Sequence, residues 1–366
     1  MRLVLFARLF YFEMIVTSKF RSGILLATAV GALMSCATPA FARTGDILNA
    51  RQSLAPQQDS RKATNQAGTK IITDGTGRSV AVPLQVQRVV SLAPNLTETV
   101  YALGLEDKLV GDTIYCDTPA AATRKPHIGA PLTPSLEAIV ALHPDLVLAT
   151  AINRWETVEA ITKLGIPVYT VEPRTVRDML ESISELGDVL GAHEQGVALT
   201  AKLQGTLDNL QTGLRDKPLV HVLFVVWEDP LITIGQNTFI ADALRWAGAE
   251  SVIISKQDWP QISMEEVLRL EPDYIVLTSN HAGTDDSDQV RDLRGRGVWN
   301  QIEAVKLGRI VIVGEEVTRP APGLVEVIVQ LAHGLHPEIF GTEQKHAQLE
   351  NRGWESDAGR LVACVR

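Results

Sequence analysis

One stretch of this chain occurs twice. SLEAIVALHPDLVLA begins at Ser135 and SMEEVLRLEPDYIVL begins at Ser263. Aligned without a gap, Ser, Glu, Leu, Pro and Asp coincide, and most other columns exchange one apolar residue for another. Each copy opens on a serine, continues as a short amphipathic segment, turns at Pro-Asp and ends in an apolar run. That pattern predicts a helix, a tight turn and a buried strand. A helix–strand unit written once in each half of a 366-residue chain points to two similar α/β halves, because a single core of that size is unusual.

The surrounding sequence fits this division. From Arg88 the chain alternates: VVSLA as a strand, NLTETVYALG as a helix, LVG as a strand, RWETVEAITKLG as a helix and PVYTV as a strand. In the first helix Asn95 is the expected N-cap, Glu98 its capping-box partner and Gly104 the stop. Helical sequence then runs from Val176 to about Leu214, with Leu199, Leu203, Leu207, Leu210 and Leu214 on one face. A helix from His193 to Asp216 spans about 36 Å, long enough to cross between two domains. After Pro218 the alternation resumes with LVHVLFVVW, TFIADALRWAG, YIVLTS and IVIVG, and GLVEVIVQLAHGL closes it. The expected fold is two α/β lobes with mainly parallel sheets joined by one long backbone helix. The lobes are 71–175 and 218–341, and 176–217 connects them. IITDGTGRSVAVP reads as a hairpin at the start of the first lobe.

The ends read differently. Lys19 and Arg21 precede the apolar run GILLATAVGALMS, and AFA at Ala40–Ala42 is a small-x-small cleavage site, so residues 1–42 read as a signal peptide, with Met1 or Met14 as the start. LMSC ending at Cys36 also resembles a lipobox. The product is exported and periplasmic, or a membrane-anchored lipoprotein if Cys36 is lipidated. Residues 43–70 are polar and read as a flexible linker, and 342–366 as a polar tail. Removing the leader makes a chain of net charge −9 still more acidic, which argues against a nucleic-acid partner. Cys116 and Cys364 are then the remaining cysteines and can pair in an oxidising compartment.

The repeat places a glutamate at equivalent positions. Ser263 N-caps its helix with Glu266 as capping-box partner, which leaves Glu265 free; Ser135 and Glu137 take the corresponding places in the first copy. A first-turn acid is favoured by about 0.3–1 kcal/mol from the helix dipole and points outward. Both glutamates are therefore either ordinary first-turn acids or a two-point docking surface.

RVVSLAPNLTETVYALGLEDKLVG followed by SLEAIVALHPDLVLA resembles the substrate-binding proteins of ATP-driven importers for vitamin B12 and ferric chelates. The resemblance extends from about Ile71 to Gly341. It implies two lobes around a rigid helix, a ligand held between them, little lobe closure, a monomer, no reaction and no cofactor beyond the transported cobalamin or iron chelate. It also implies that Glu137 and Glu265 dock on arginines of the importer's permease. Tyr115 in VGDTIYCDTP and Trp259 in DWPQISMEE match aromatics that line the corrin in vitamin B12-binding members, and Trp227 falls near a third such position. Two further ring-contacting tryptophans of those members fall here at Pro131 and Thr150. Trp155 can fill part of that space. Arg154 and Arg319 suit ligand carboxylates, or are simply solvated, and Trp246 reads as core. Cobalamin is the favoured ligand over a ferric siderophore or haem.

Other classes fit less well. A zinc or manganese receptor needs three or four converging ligands, whereas the eight histidines are dispersed and only His333 and His336 are close-spaced. No Gly-x-Ser-x-Gly, Walker A or His-Glu-x-x-His sequence occurs, so no enzyme class is indicated.

Overall fold

The computed structural model describes residues 68–279 and 286–341, with side chains from Asp288 in the second stretch. The leader with Cys36, nearly all of the linker, and the tail with Cys364 lie outside the described residues. Strands β1 (Thr69–Thr73) and β2 (Ser79–Pro83) form the expected antiparallel hairpin, which begins at Thr69, inside the stretch read as linker. The Asp74 carboxylate closes its turn by accepting from the amides of Thr76 and Arg78.

The first lobe is a parallel sheet of β3 (Val89–Ser91), β4 (Leu109–Gly111), β7 (Leu146–Thr150) and β8 (Val168–Val171), in the order β4-β3-β7-β8. Between β4 and β7 lies a small antiparallel pair, β5 (Gly129–Ala130) and β6 (Thr133–Pro134). Helices α1 (Pro94–Ala102), α2 (Leu136–Ala141) and α3 (Trp155–Lys163) link the strands. Two helices follow, α4 (Val176–Leu190) and α5 (His193–Leu214). The second lobe has β9 (Val220–Val225), the short pair β10 (Trp227–Glu228) and β11 (Leu231–Ile232), then β12 (Ala249–Ser251), β13 (Tyr274–Thr278) and β14 (Ile310–Val313). Its helices are α6 (Phe239–Trp246), α7 (Met264–Leu270), α8 (Asp286–Gly295), α9 (Glu303–Lys306), α10 (Leu324–Leu335) and α11 (Pro337–Phe340). Its parallel sheet has the order β12-β9-β13-β14. Within each main sheet the spatial order is therefore second strand, first, third, fourth.

The repeated stretch is α2 with β7 in one lobe and α7 with β13 in the other. The match reaches individual hydrogen bonds. Ser135 Oγ accepts from the Ala138 amide and Ser263 Oγ from the Glu266 amide, each at 3.2 Å. His143 and Glu271, each just before the proline, both have positive φ, at 47° and 46°. A left-handed residue ends each helix in time for the turn. The aspartate after the proline then ties the third strand to the first: Asp145 Oδ2 accepts from the Arg88 amide and Asp273 Oδ2 from the His221 amide. Serine, proline and aspartate recur because each copy solves the same local hydrogen-bonding problem.

The alternating strand residues build three cores. One contains Val89, Leu146 and Leu148 of the first sheet, Val222, Phe224, Val276 and Val313 of the second, and the five leucines of α5. It is continuous from lobe to lobe. The opposite sheet faces carry separate cores, around Val90, Val147 and Ala149 in one lobe and around Leu223, Ile275 and Leu277 in the other. Helix α5 comprises 22 residues, about 33 Å. It stops at Leu214, before the expected Asp216, which has a positive φ of 63°. Its packing on α4 needs glycine: a Cβ on Gly187 would lie 3.0 Å from Gly196 Cα and 2.9 Å from the Ala192 carbonyl. Across the lobes, the Val176 amide at the start of α4 donates to Asp242 of α6 at 2.8 Å.

Two local expectations are corrected, and one strand goes unannounced. The N-cap of α1 is Ala93, with no side-chain cap, because Pro94 with its preset φ starts the helix earlier. Asn95 and Glu98 are buried inside that helix, so Glu98 is not a capping partner. Finally, β12 is an edge strand that the sequence AES does not announce; it forms by pairing in parallel with β9.

Candidate ligand-binding cleft

Parallel strands deliver all their outgoing loops to one edge of a sheet, where α/β proteins bind ligands. Here the two such edges face each other. Glu98 of α1 follows β3, Asp117 follows β4 and Arg174 follows β8; Asp258 follows β12, and Arg319 and Gly323 follow β14. Arg319 Nη1 lies 3.2 Å from Asp117 Oδ1, Arg174 Nη1 lies 3.6 Å from Asp258 Oδ2, and the Gly323 amide donates to Glu98 Oε1 at 2.7 Å. These contacts bridge the lobes from one side of the cleft to the other.

Charge is concentrated on the side of Arg319. A cavity of about 210 Å³ is lined by Asp117, Thr118, Glu315, Glu316 and Arg319. Arg319, with a side chain 16% exposed, also lies 3.7 Å from Glu315. Glu98 sits nearby with 8% of its surface exposed, and its Oε2 is buried with no hydrogen-bond partner. Burial pushes the Glu98 carboxyl up to about 7, against the opposing pull of the Gly323 amide and Arg319. The chain brings several carboxylates and one guanidinium to a single wall.

The aromatic residues named from the sequence lie on loops and element ends of both lobes. Tyr115 is half-buried on the same loop as Asp117. Trp259, next to Asp258, is half-buried and packs against the continuous core. Trp227 is half-buried at the end of β9's loop, and its Nε1 donates to the Asp229 carbonyl at 2.7 Å. Trp155 is 55% exposed at the start of α3, with the Arg78 guanidinium 5.0 Å from its ring centre. Arg78 is itself fixed by Asp74 and Thr170, so one face of Trp155 is occupied by a cation–π contact. Arg154 precedes it and is exposed. Pro131 and Thr150 are both buried and joined through Asn153, which donates to the Pro131 and Leu92 carbonyls and accepts from the Thr150 amide. Trp246 packs against the continuous core, as expected.

Glu137 and Glu265 are exposed in the first turns of α2 and α7. Each helix runs back against the strand that follows it, so its N-terminus lies at the cleft end of its lobe. The Glu265 carboxylate is held below its ordinary range by its own backbone amide and by the Ser263 hydroxyl. Only the serine half of the expected capping box of α7 is present, Ser263 accepting from the Glu266 amide, and Glu265 is not free, since it receives the Ser263 hydroxyl.

The sequence profile of the periplasmic binding protein family matches residues 89–317, which spans both sheets. The chain belongs to the periplasmic binding protein family. It is 29% identical over 334 residues to an uncharacterised ABC transporter substrate-binding lipoprotein of Bacillus subtilis, covering 88% of this chain and 99% of that one. The periplasmic vitamin B12 binding protein of Vibrio cholerae superposes with a TM-score of 0.61 at 25% identity, covering 68% of this chain and 96% of that one. A periplasmic heme binding protein from Pseudomonas aeruginosa superposes with a TM-score of 0.62 at 23% identity, over 69% and 94%. The likeness to the last shows the fold alone. This periplasmic binding protein is the substrate-binding component of an ABC importer, a transport receptor that works with a membrane permease and binds a small molecule without transforming it.

Several cleft groups escaped the sequence reading. Glu98, Asp117 and the Arg174–Asp258 pair have partners far away in sequence, and Thr118, Glu315 and Glu316 are ordinary local polar residues until the fold sets them around Arg319, so no local pattern marks them. Asp112 is buried, receives a hydrogen bond from His127 at 2.9 Å, and is pushed up to about 6 by burial. Cys116 is a buried free thiol, held by Thr97 and Thr113 and pushed up to about 11 by burial. Its suggested partner Cys364 lies outside the described residues. His336 is buried and donates to the Gly248 carbonyl, and His333 stacks on Phe340 at 4.6 Å. Among the described residues no cluster of three or more His, Cys, Asp or Glu is placed to hold a metal ion.

Proposed function

We propose that this receptor captures a cobalamin-type corrinoid between its lobes and delivers it to a permease that docks on Glu137 and Glu265. The observation that carries the reading is the make-up of the cleft. Tyr115 in one lobe and Trp259 in the other neighbour in sequence Asp117 and Asp258, the acids of the two bridging ion pairs, and the cavity wall presents Asp117, Glu315 and Glu316 against a single Arg319. Aromatic faces give a flat ring a large contact area at small entropic cost. Carboxylates accept hydrogen bonds from the many amide groups at a corrin's periphery and tolerate its cationic cobalt centre. The same wall opposes polyanions such as a haem with its propionates, since Arg319 is already shared by Asp117 and Glu315.

Small-molecule sites commonly enclose about 300–1,000 Å³, more than the cavity at Arg319. A corrinoid therefore needs more room than this cavity gives, and binding it requires Arg319 to release Asp117. The exposed glutamates at the cleft end of each lobe suit a permease that covers the cleft mouth. A competition experiment tests the ligand: the protein is mixed with equal amounts of cyanocobalamin, haem and a ferric hydroxamate and passed through gel filtration. The corrinoid spectrum is expected to co-elute. Co-elution of the haem or hydroxamate spectrum instead transfers the assignment to that ligand.

A further inference from the structure

Glu98 is an acid of the cleft that sits in the interior of an α-helix, α1. It reaches from α1 of the first lobe to the amide of Gly323, the N-cap residue of α10 in the second, 225 residues away in sequence. The contact leaves no slack: a Cβ on Gly323 would come within 2.7 Å of Glu98 Oε1. Arg319 lies four residues before Gly323, and the backbone between them is tied by hydrogen bonds from Ala321 to Arg319 and from Leu324 to Ala321, so the place of Gly323 bears on the place of the segment that carries the cleft's guanidinium. We propose that Glu98 is a positioning residue for ligand capture, holding Gly323 and the segment that carries Arg319 against the cleft wall, in a buried place that is least costly when its carboxyl group is protonated. The proposal rests on the receptor reading of the cleft and not on the choice of a corrinoid.

The direction follows from burial. One Glu98 oxygen accepts from Gly323 and can do so in either protonation state, since a carboxyl carbonyl also accepts. The other oxygen is buried without a partner, a costly place for shared negative charge. The groups that face Glu98 are Arg319 and Glu316 from the turn after β14 and Asp117 from the loop after β4, with Glu315 beside Arg319. α10 contributes its N-terminal amide, and its own first-turn acid, Glu326, is exposed. Two acids against one arginine do not relieve the burial. The carboxyl in this contact therefore titrates near 7, compared with 4.5 when hydrated. Burial causes the rise, while the Gly323 hydrogen bond itself favours the carboxylate, so the stability of this buried arrangement is complete below the hydrated value and is lost as pH rises through about 7. If binding requires the contact, affinity rises about tenfold between pH 8 and pH 6 at the limit of full coupling.

The experiment has a ligand-free arm and a ligand arm, both on the mature chain. In the first, the Gly323 amide resonance is followed from pH 5 to pH 8 in the wild type and in Glu98→Gln, which keeps the acceptor and removes the titration. A shift with a midpoint near 7 that disappears in the variant is expected. The variant also separates Glu98 from the Asp112–His127 pair, which remains in both proteins. In the second arm, the dissociation constant is measured at pH 6 and pH 8 with whichever of cyanocobalamin, haem or a ferric hydroxamate binds saturably. The wild type is expected to bind several-fold more tightly at pH 6, and Glu98→Gln equally at both. A Gly323 resonance that does not titrate, or titrates unchanged in Glu98→Gln, overturns the latch. A pH-independent affinity in the wild type overturns the positioning role. Failure of cyanocobalamin alone overturns only the corrinoid assignment, because the first arm contains no ligand.

Discussion

The lobes meet along two borders of opposite chemistry. On the helical side the border is apolar and continuous: the leucines of α5 belong to one core that includes strands of both sheets. On the cleft side it is polar and discontinuous, built from Arg174–Asp258, Asp117–Arg319 and Glu98–Gly323. The first border buries side chains almost completely and sets how the lobes stand. The second mixes the buried Glu98 and the half-buried Arg319 with a well-exposed pair: Arg174 and Asp258 have side chains 58% and 45% exposed. Ion pairs of that kind contribute about 0–1 kcal/mol. They can be exchanged for a ligand at little cost while the apolar border keeps the lobes in place.

The comparison fails if the apolar border does not dominate stability. Leu207 is fully buried in it. Leu207→Ala is expected to cost about 2–5 kcal/mol, read by denaturant unfolding. Arg174→Ala, by contrast, is expected to shift stability by less than about 1 kcal/mol. Comparable losses for the two variants contradict the division.

A smaller effect sharpens it from the cleft side. Trp259→Ala is expected to weaken ligand binding by at least about 1 kcal/mol, the scale of a lost aromatic contact. Its half-buried ring also touches the core, so part of the change falls on stability, and calorimetric affinity measured well below the unfolding transition separates the two. Glu137→Ala and Glu265→Ala lie outside both borders. They are expected to leave affinity unchanged and to slow uptake in a reconstituted transport assay, the double variant most. Loss of ligand binding in either places the glutamate in the cleft instead. The smallest effect is geometric. A continuous core between the lobes resists hinging, so small-angle scattering with and without ligand is expected to differ only slightly in radius of gyration; a change of several ångströms contradicts a rigid border.

The apolar border was legible in the sequence because periodicity encodes it. The leucine spacing of α5 is visible without any partner, and the repeated Ser-x-Glu and Pro-Asp elements mark equivalent helices and turns. The cleft was legible only where it held rare residue types, the tyrosine and tryptophans. Its acids were not. Glu98 lies three residues after Asn95, the spacing of a capping box, and only the fold shows that Pro94 starts the helix and that the carboxyl turns toward Gly323. Asp117 and Arg319 are ordinary loop residues until two sheets place them together. Pro131 and Thr150, which break the likeness to vitamin B12-binding members, are held in buried places by Asn153, so the fold has used those positions for its own hydrogen bonds.

The claim that the polar border is a corrinoid site is tested most directly by calorimetric titration of the mature protein with cyanocobalamin, repeated with Trp259→Ala. The account predicts saturable one-to-one binding at micromolar concentration, weakened in the variant. No saturable heat with cyanocobalamin, while haem or a ferric siderophore saturates the same protein, contradicts it.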